Sequence, residues 1–211
     1  MQEYILYNPV ASFILVFTLI TSIYTFSSPQ LFGKFMLHPY SVSRGKNLYT
    51  VITSGVIHRD WMHLLFNMLT FFFFGFPLER ILASVSSWGH IQFLVIYVLA
   101  LILSDITTIF KHKNNYGYHS LGASGAISAV LFSYILFDPS MSIYLFFIPI
   151  PIPAVIFGPL YLAYCVWAAN SANDSINHDA HFYGALTGVA ITIILYPQVL
   201  GNFINELGNM F

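Results

Sequence analysis

Charge is what this sequence has least of. Only 7% of its 211 residues are Asp, Glu, Lys or Arg, against about 25% in soluble globular domains. With 57% hydrophobic residues beside that figure, an ordinary soluble domain is excluded. So is a disordered chain, which needs low hydrophobicity and high net charge. Seven Lys and Arg and a formal net charge of -1 provide no basic footprint, so nucleic acid is not an expected partner. Cysteine occurs once, at Cys165, which forbids an intrachain disulfide and, in an apolar stretch, reads as a packing residue. There is no internal repeat, no linker, no H-E-x-x-H zinc helix and no G-x-S-x-G elbow after a strand. Met1-Gln2-Glu3-Tyr4 carries no positive region, and no small-residue cleavage site follows the first apolar run. That run is therefore expected to stay in place as a transmembrane helix.

What is present is apolar length, with 18% aromatic residues and a mean hydropathy of +0.74. At about 20 residues per span plus connections, the chain has room for about six or seven spans. The expected fold is an all-α polytopic membrane protein, a single domain over residues 1–211. Its six transmembrane helices are expected at about 9–25, 61–76, 89–110, 122–137, 154–169 and 180–199. Pro9 opens the first, where a missing N–H costs nothing. Pro77 is expected to stop the second, and Asp138-Pro139 the fourth. The alternating prolines of Ile148-Pro149-Ile150-Pro151-Ile152-Pro153 forbid a regular helix and favour extended backbone leading into the fifth. The long connection from Phe26 to Asp60 mixes apolar and polar residues and is expected to be folded. Cations fall unevenly: Lys34, Arg44, Lys46, Arg59, Lys111 and Lys113 share one side, and Arg80 has the other. By the positive-inside rule the first side would be cytoplasmic.

Polar groups at membrane depth are costly and mark functional sites. Three clusters stand out. His58-Arg59-Asp60-Trp61-Met62-His63 opens the second helix, and His63 and Asn67, four apart, share a face as a pair of side-chain donors. Gly122-Ala123-Ser124-Gly125 opens the fourth, where flanking glycines expose the serine hydroxyl and admit another backbone or a substrate. In the sixth, His181, Gly184 and Gly188 lie on one face, and the two glycines form a groove that lets a neighbouring helix come close. If that neighbour is the fourth helix, His181 meets Ser124. The three clusters together supply acyl transfer: Ser124 as nucleophile, His181 as general base, and the Ser124 backbone N–H with the His63 and Asn67 side chains as oxyanion donors. No carboxylate is assigned, because Asp179 lies off the face of His181.

These residues resemble the rhomboid family of intramembrane serine proteases. The resemblance rests on H-x-D-x-x-H-x-x-x-N at His58, Asp60, His63 and Asn67, and on Glu79-Arg80 after the second helix. It rests equally on G-x-S-G at Gly122, Ser124 and Gly125, and on A-H-x-x-G-x-x-x-G at Ala180, His181, Gly184 and Gly188. It implies a six-helix rhomboid-like bundle with a Ser124/His181 dyad in a water-filled cavity, cleaving transmembrane protein substrates that arrive from the lipid bilayer past the fifth helix. It implies no cofactor and no metal, and a multi-pass location, expected in a bacterial inner membrane. By the same resemblance the first connection is a membrane-embedded helical loop, the polar stretch before the sixth helix a mobile cap, and Trp167 part of a gate. It puts the site on the extracytoplasmic side, opposite to the charge count.

Two positions depart from the family pattern. Tyr49-Thr50 stands where many members have Trp-Arg. Ser128 stands where many have an aromatic that stacks on the base, so either Ser128 holds His181 by a hydrogen bond or another aromatic substitutes. The rival readings are a catalytically silent rhomboid-like pseudoprotease that binds and escorts membrane proteins, a metalloprotease using His178, His181, His58 or His63, and a transporter. Asp105, in the third helix, is expected near a helix end in contact with water.

Overall fold

The computed structural model describes residues 6–145, 148–171 and 174–210. The first apolar run forms α1 (Pro9–Phe26), with proline in its first turn. The connection after it is folded, as its mixed composition implies, into α2 (Pro29–Phe35), α3 (Pro39–Val42), α4 (Thr50–Thr53) and a 3-10 turn (Ser54–Val56). Next come α5 (Trp61–Val85), α6 (Gly89–His112) and α7 (Ser124–Phe137). A two-stranded antiparallel hairpin, β1 (Ser142–Leu145) and β2 (Ile148–Pro153), follows. It leads into α8 (Ala154–Ser171), then α9 (His178–Leu195) and α10 (Val199–Met210). The proline-alternating segment is extended, as expected, and the hairpin it forms departs from an all-α fold.

Four helices, α1, α5, α6 and α8, are long and apolar enough to cross a membrane, and the bent pair α9 and α10 passes the same test together. The protein is thus a helical membrane bundle. At its centre is α7, with most of its side chains buried against α5, α6 and α9. Its 14 residues rise only about 21 Å, short of the roughly 30 Å hydrocarbon thickness. At least one end of α7 therefore lies at membrane depth, and Ser124 is its first residue.

At three of the boundaries that differ from the sequence expectation the physical cause is visible. The second spanning helix does not stop at Pro77 but continues to Val85. A proline inside a helix costs about 3 kcal/mol, yet Leu78, Glu79 and Leu82 just beyond it are fully buried, and their packing outweighs that cost. Glu79 also bonds outside its own helix: its carboxylate accepts the N–H of Val10 at 3.0 Å and of Ala11 at 2.7 Å, and meets His90 Nδ1 at 2.6 Å. A carboxylate thus satisfies the open amides at the positive end of α1. The fourth spanning helix starts at Ser124 rather than Gly122, because Gly122 has φ +114°, outside the helical region. The sixth spans His178–Leu195, since Pro197 biases Tyr196 to an extended φ of -136°. The chain then turns by 110° into α10, which sequence reading did not foresee although Val199, Leu200, Phe203, Ile204 and Leu207 have amphipathic spacing.

Candidate active site

The seam between α7 and α9 decides where the two key residues meet. A Cβ on Gly184 would fall 2.1 Å from the Gly125 carbonyl oxygen, and one on Gly188 would fall 2.2 Å from that of Ala129. The glycine groove of α9 thus seats the backbone of α7, the neighbour on which a meeting of Ser124 and His181 was conditional. Further along the seam Thr192 Oγ1 donates to Ser133 Oγ at 2.8 Å, and Ser133 Oγ donates to the Gly188 carbonyl at 3.2 Å. This contact brings Ser124 and His181 onto the wall of one cavity of about 900 Å³ between α5, α7 and α8. Asn67 of α5 shares that wall, and β1 lines another part of it. Among the described residues no hydrogen bond joins Ser124 to His181 at rest. Catalytic hydrogen bonds are often long before substrate binds and tighten with it.

The start of α7 is held open by its glycine. Gly122 N–H donates to the Ser54 carbonyl at 2.9 Å, and its φ of +114° suits only glycine. A Cβ there would strike the His63 ring at 2.7 Å, so His63 packs directly under the loop that carries Ser124. The N–H groups of Ser124 and Gly125 belong to the first helical turn and have no intrahelical acceptor. Asn67 Nδ2 donates to the His63 carbonyl at 2.9 Å, which uses one of its two hydrogens and leaves the other for the cavity. His63 Nδ1 accepts the Arg59 N–H in a long contact of 3.4 Å, so the neutral ring carries its proton on Nε2.

The remaining motif residues are structural. Asp60 caps α5 by accepting the His63 N–H at 2.8 Å and pairs with Arg59 Nε at 2.9 Å. That N–H and then the guanidinium hold its carboxyl below the usual aspartate range. His58 is fully buried, its Nδ1 3.0 Å from Ser22 Oγ of α1 and its ring edge-on to His63 at 5.0 Å. Burial first, and the neighbouring His63 second, lower its pKa to about 3. Asp105 is buried beside Ser54 Oγ at 3.5 Å, not in contact with water as its position suggested, because the folded first connection covers it. Tyr49 hooks that connection internally by donating to the Lys34 carbonyl at 3.1 Å. The four histidines considered as metal ligands do not converge: His178 pairs with Asp174 at 3.1 Å, and His58 with Ser22. The cap expectation falls partly on residues 172–173, outside the described residues.

Two contributors escaped the sequence reading. Asn177 caps α9 by accepting the Ala180 N–H at 3.1 Å, while its Nδ2 donates to Thr108 Oγ1 of α6 at 2.8 Å and Ser120 Oγ at 3.1 Å. One side chain thereby ties the helix bearing His181 to the loop leading to Ser124. Its signal was present, since Asn directly before a helix is a preferred cap. Lys111 adds an ion pair to Asp179 at the same end, and Arg44 donates to the Lys113 carbonyl at 2.8 Å, giving these cations structural roles. The second contributor is Tyr161 of α8, whose ring lies parallel to His181 with centroids 6.5 Å apart. Ser128 Oγ bonds the Tyr161 hydroxyl at 2.9 Å rather than His181, and the aromatic ring lying parallel to His181 comes from α8.

A polytopic helical membrane protein with a serine and a histidine converging on one cavity is the class these features define. The rhomboid domain matches residues 45–198, and the chain belongs to the rhomboid family. It is similar to RHOMBOID-like protein 12, mitochondrial, of Arabidopsis thaliana, 26% identical over 79% of this chain and 52% of that protein. It is also similar to the Rhomboid protease GlpG of Haemophilus influenzae, 28% identical over 54% of each. A third relative, Rhomboid protein 1, mitochondrial, of Saccharomyces cerevisiae, is 31% identical over 66% of this chain and 40% of its own length. The chain spans about half the length of the curated relatives it matches. Two of these relatives are mitochondrial, so they give the expected bacterial inner membrane no support; what stands is an integral membrane protein.

Proposed function

We propose that this protein is an intramembrane serine endopeptidase, hydrolysing peptide bonds in or near transmembrane segments of membrane proteins through a Ser124–His181 dyad. The observation that carries the reading is the shared cavity wall of Ser124, His181 and Asn67, at the start of a helix too short to cross the bilayer. Neutral His181 takes the Ser124 hydroxyl proton as Oγ attacks the scissile carbonyl carbon, then returns it to the leaving amine nitrogen. Water, activated by the same histidine, releases the acyl group from Ser124. The tetrahedral oxyanion is met by the Ser124 and Gly125 amides, the second Nδ2 hydrogen of Asn67 and the Nε2–H of His63. A preorganised donor of this kind lowers the barrier by about 3 kcal/mol. Substrates are transmembrane proteins that leave the lipid bilayer between α5 and α8, whose side chains face each other across the cavity.

The test is cleavage of a fluorescent single-pass transmembrane substrate by the purified protein in liposomes, beside Ser124→Ala and Asn67→Ala. Wild type should cleave, Ser124→Ala should not, and Asn67→Ala should lose about 10²-fold in kcat. Activity should fall only at low pH, where His181 takes a proton and can no longer serve as base, and should recover on neutralisation. If several unrelated substrates survive wild type and a fluorophosphonate does not label Ser124, the escorting pseudoprotease replaces this reading.

A further inference from the structure

His181 has the exacting task in this site, since it must accept a proton at one atom and deliver it at another. Among the described residues neither of its ring nitrogens has a hydrogen-bond partner, so packing is what aims it. Two rings touch it. His178, one turn earlier on α9, meets it edge-on at 6.0 Å, and Tyr161 lies parallel to it with planes 11° apart. Parallel offset rings at this separation attract one another and restrict rotation. Tyr161 is itself fixed, stacked on Phe157 at 5.7 Å and bonded at its hydroxyl to Ser128 Oγ. Ser128 lies one turn after Ser124, so the nucleophile's own helix sets the ring that sets the base.

The ring arrives from the least secured spanning helix. Of the four helices long enough to cross alone, α8 is the least buried, and it leans mainly on α9 and the hairpin. Pro159 lies two residues before Tyr161 and offers no N–H to the Val155 carbonyl, which leaves the helix a bending point there.

We propose that Tyr161 is a positioning residue for His181, and that its hydrogen bond to Ser128 makes alignment of the base conditional on α8 being seated against α7. The proposal rests on the protease reading of the site. A segment passing between α5 and α8 displaces α8 and withdraws Tyr161, so His181 is unaimed until α8 returns. Opening to the bilayer and cleavage are thereby separated, and a helix that merely lodges in the opening is spared.

The full-length variants Tyr161→Leu, Tyr161→Phe and Ser128→Ala test this by three readouts. These are fluorophosphonate labelling of Ser124, the kcat and KM of substrate cleavage, and the rate at which diethyl pyrocarbonate modifies His181, followed by mass spectrometry. Tyr161→Leu should lower labelling and kcat about 10²-fold with KM little changed, the effect of a misaimed group, and should speed modification of His181. Tyr161→Phe keeps the ring and should restore most of that loss, leaving about a fivefold deficit from the missing hydrogen bond. Ser128→Ala should match it, and the double variant should lose no more than either single one, because both remove the same bond. Wild-type labelling by Tyr161→Leu, or modification of His181 at the wild-type rate, would overturn the proposal. Modification of His181 needs no working site: a wild-type protein that fails to label refutes the protease reading, while the His181 rates still decide whether Tyr161 holds the ring.

Discussion

The two walls that bring side chains to His181 are built on opposite principles. On the α7 and α9 wall, glycine means contact: the backbones touch at Gly184 and Gly188, and side-chain bonds from Ser133 and Thr192 continue the seam. On the α8 wall, a Cβ on Gly158 would meet nothing closer than 3.5 Å, Pro159 interrupts the hydrogen-bond ladder, and Trp167 is exposed. The same residue type is a fastener in one place and slack in the other. On the proposed protease reading both are needed, since the reacting atoms have to be held while one side yields to a substrate.

The comparison breaks first at the seam. Gly184→Ala or Gly188→Ala drives a Cβ into backbone that cannot turn aside, and each should cost about 3 kcal/mol of stability together with the labelling of Ser124. Thermal unfolding in detergent checks it; an unchanged melting temperature would dissolve the distinction between the walls. Next comes acid, through His58, which anchors the firm side to α1. With a folded pKa of about 3 against about 6.5 unfolded, the unfolded chain binds the proton and the folded one does not. Stability therefore rises with pH across this window, and acidification from about pH 7.5 to 5 should remove about 2 kcal/mol. A His58→Gln variant should flatten that slope. Asn177→Ala should cost about 1 to 2 kcal/mol, a cap plus two bonds to α6 and the Ser124 loop, and should lower kcat more than it raises KM. The smallest effect belongs to the slack wall. Gly158→Ala meets only ordinary contact distances, and should change stability by no more than about 1 kcal/mol, in the stabilising direction.

How much of this was legible in the sequence depends on the range of the interaction. The motif spacings announced that His181 and its glycines would face a closely packed neighbour, because a 3.6-residue period puts positions 181, 184 and 188 on one stripe. The cap at Asn177 and the amphipathic last helix were equally local and could have been read. The continuation of α5 past Pro77 could not, since its compensation lies in buried residues and in the amides of α1, about 70 positions away. Asp105 was misread for the same reason: its cover is a connection folded from a distant segment.

By itself the sequence determined that the chain is a helical membrane protein, which polar residues stand out as candidates for chemistry, and which faces of their helices they occupy. Those follow from composition and from helical periodicity, which need only neighbours along the chain. Only the tertiary structure decided that Tyr161 takes the place beside His181, that Ser128 bonds that tyrosine instead of His181, and that Glu79 closes the end of α1. Each joins helices far apart in the chain, and such contacts exist only once packing has chosen which helices meet and at what depth.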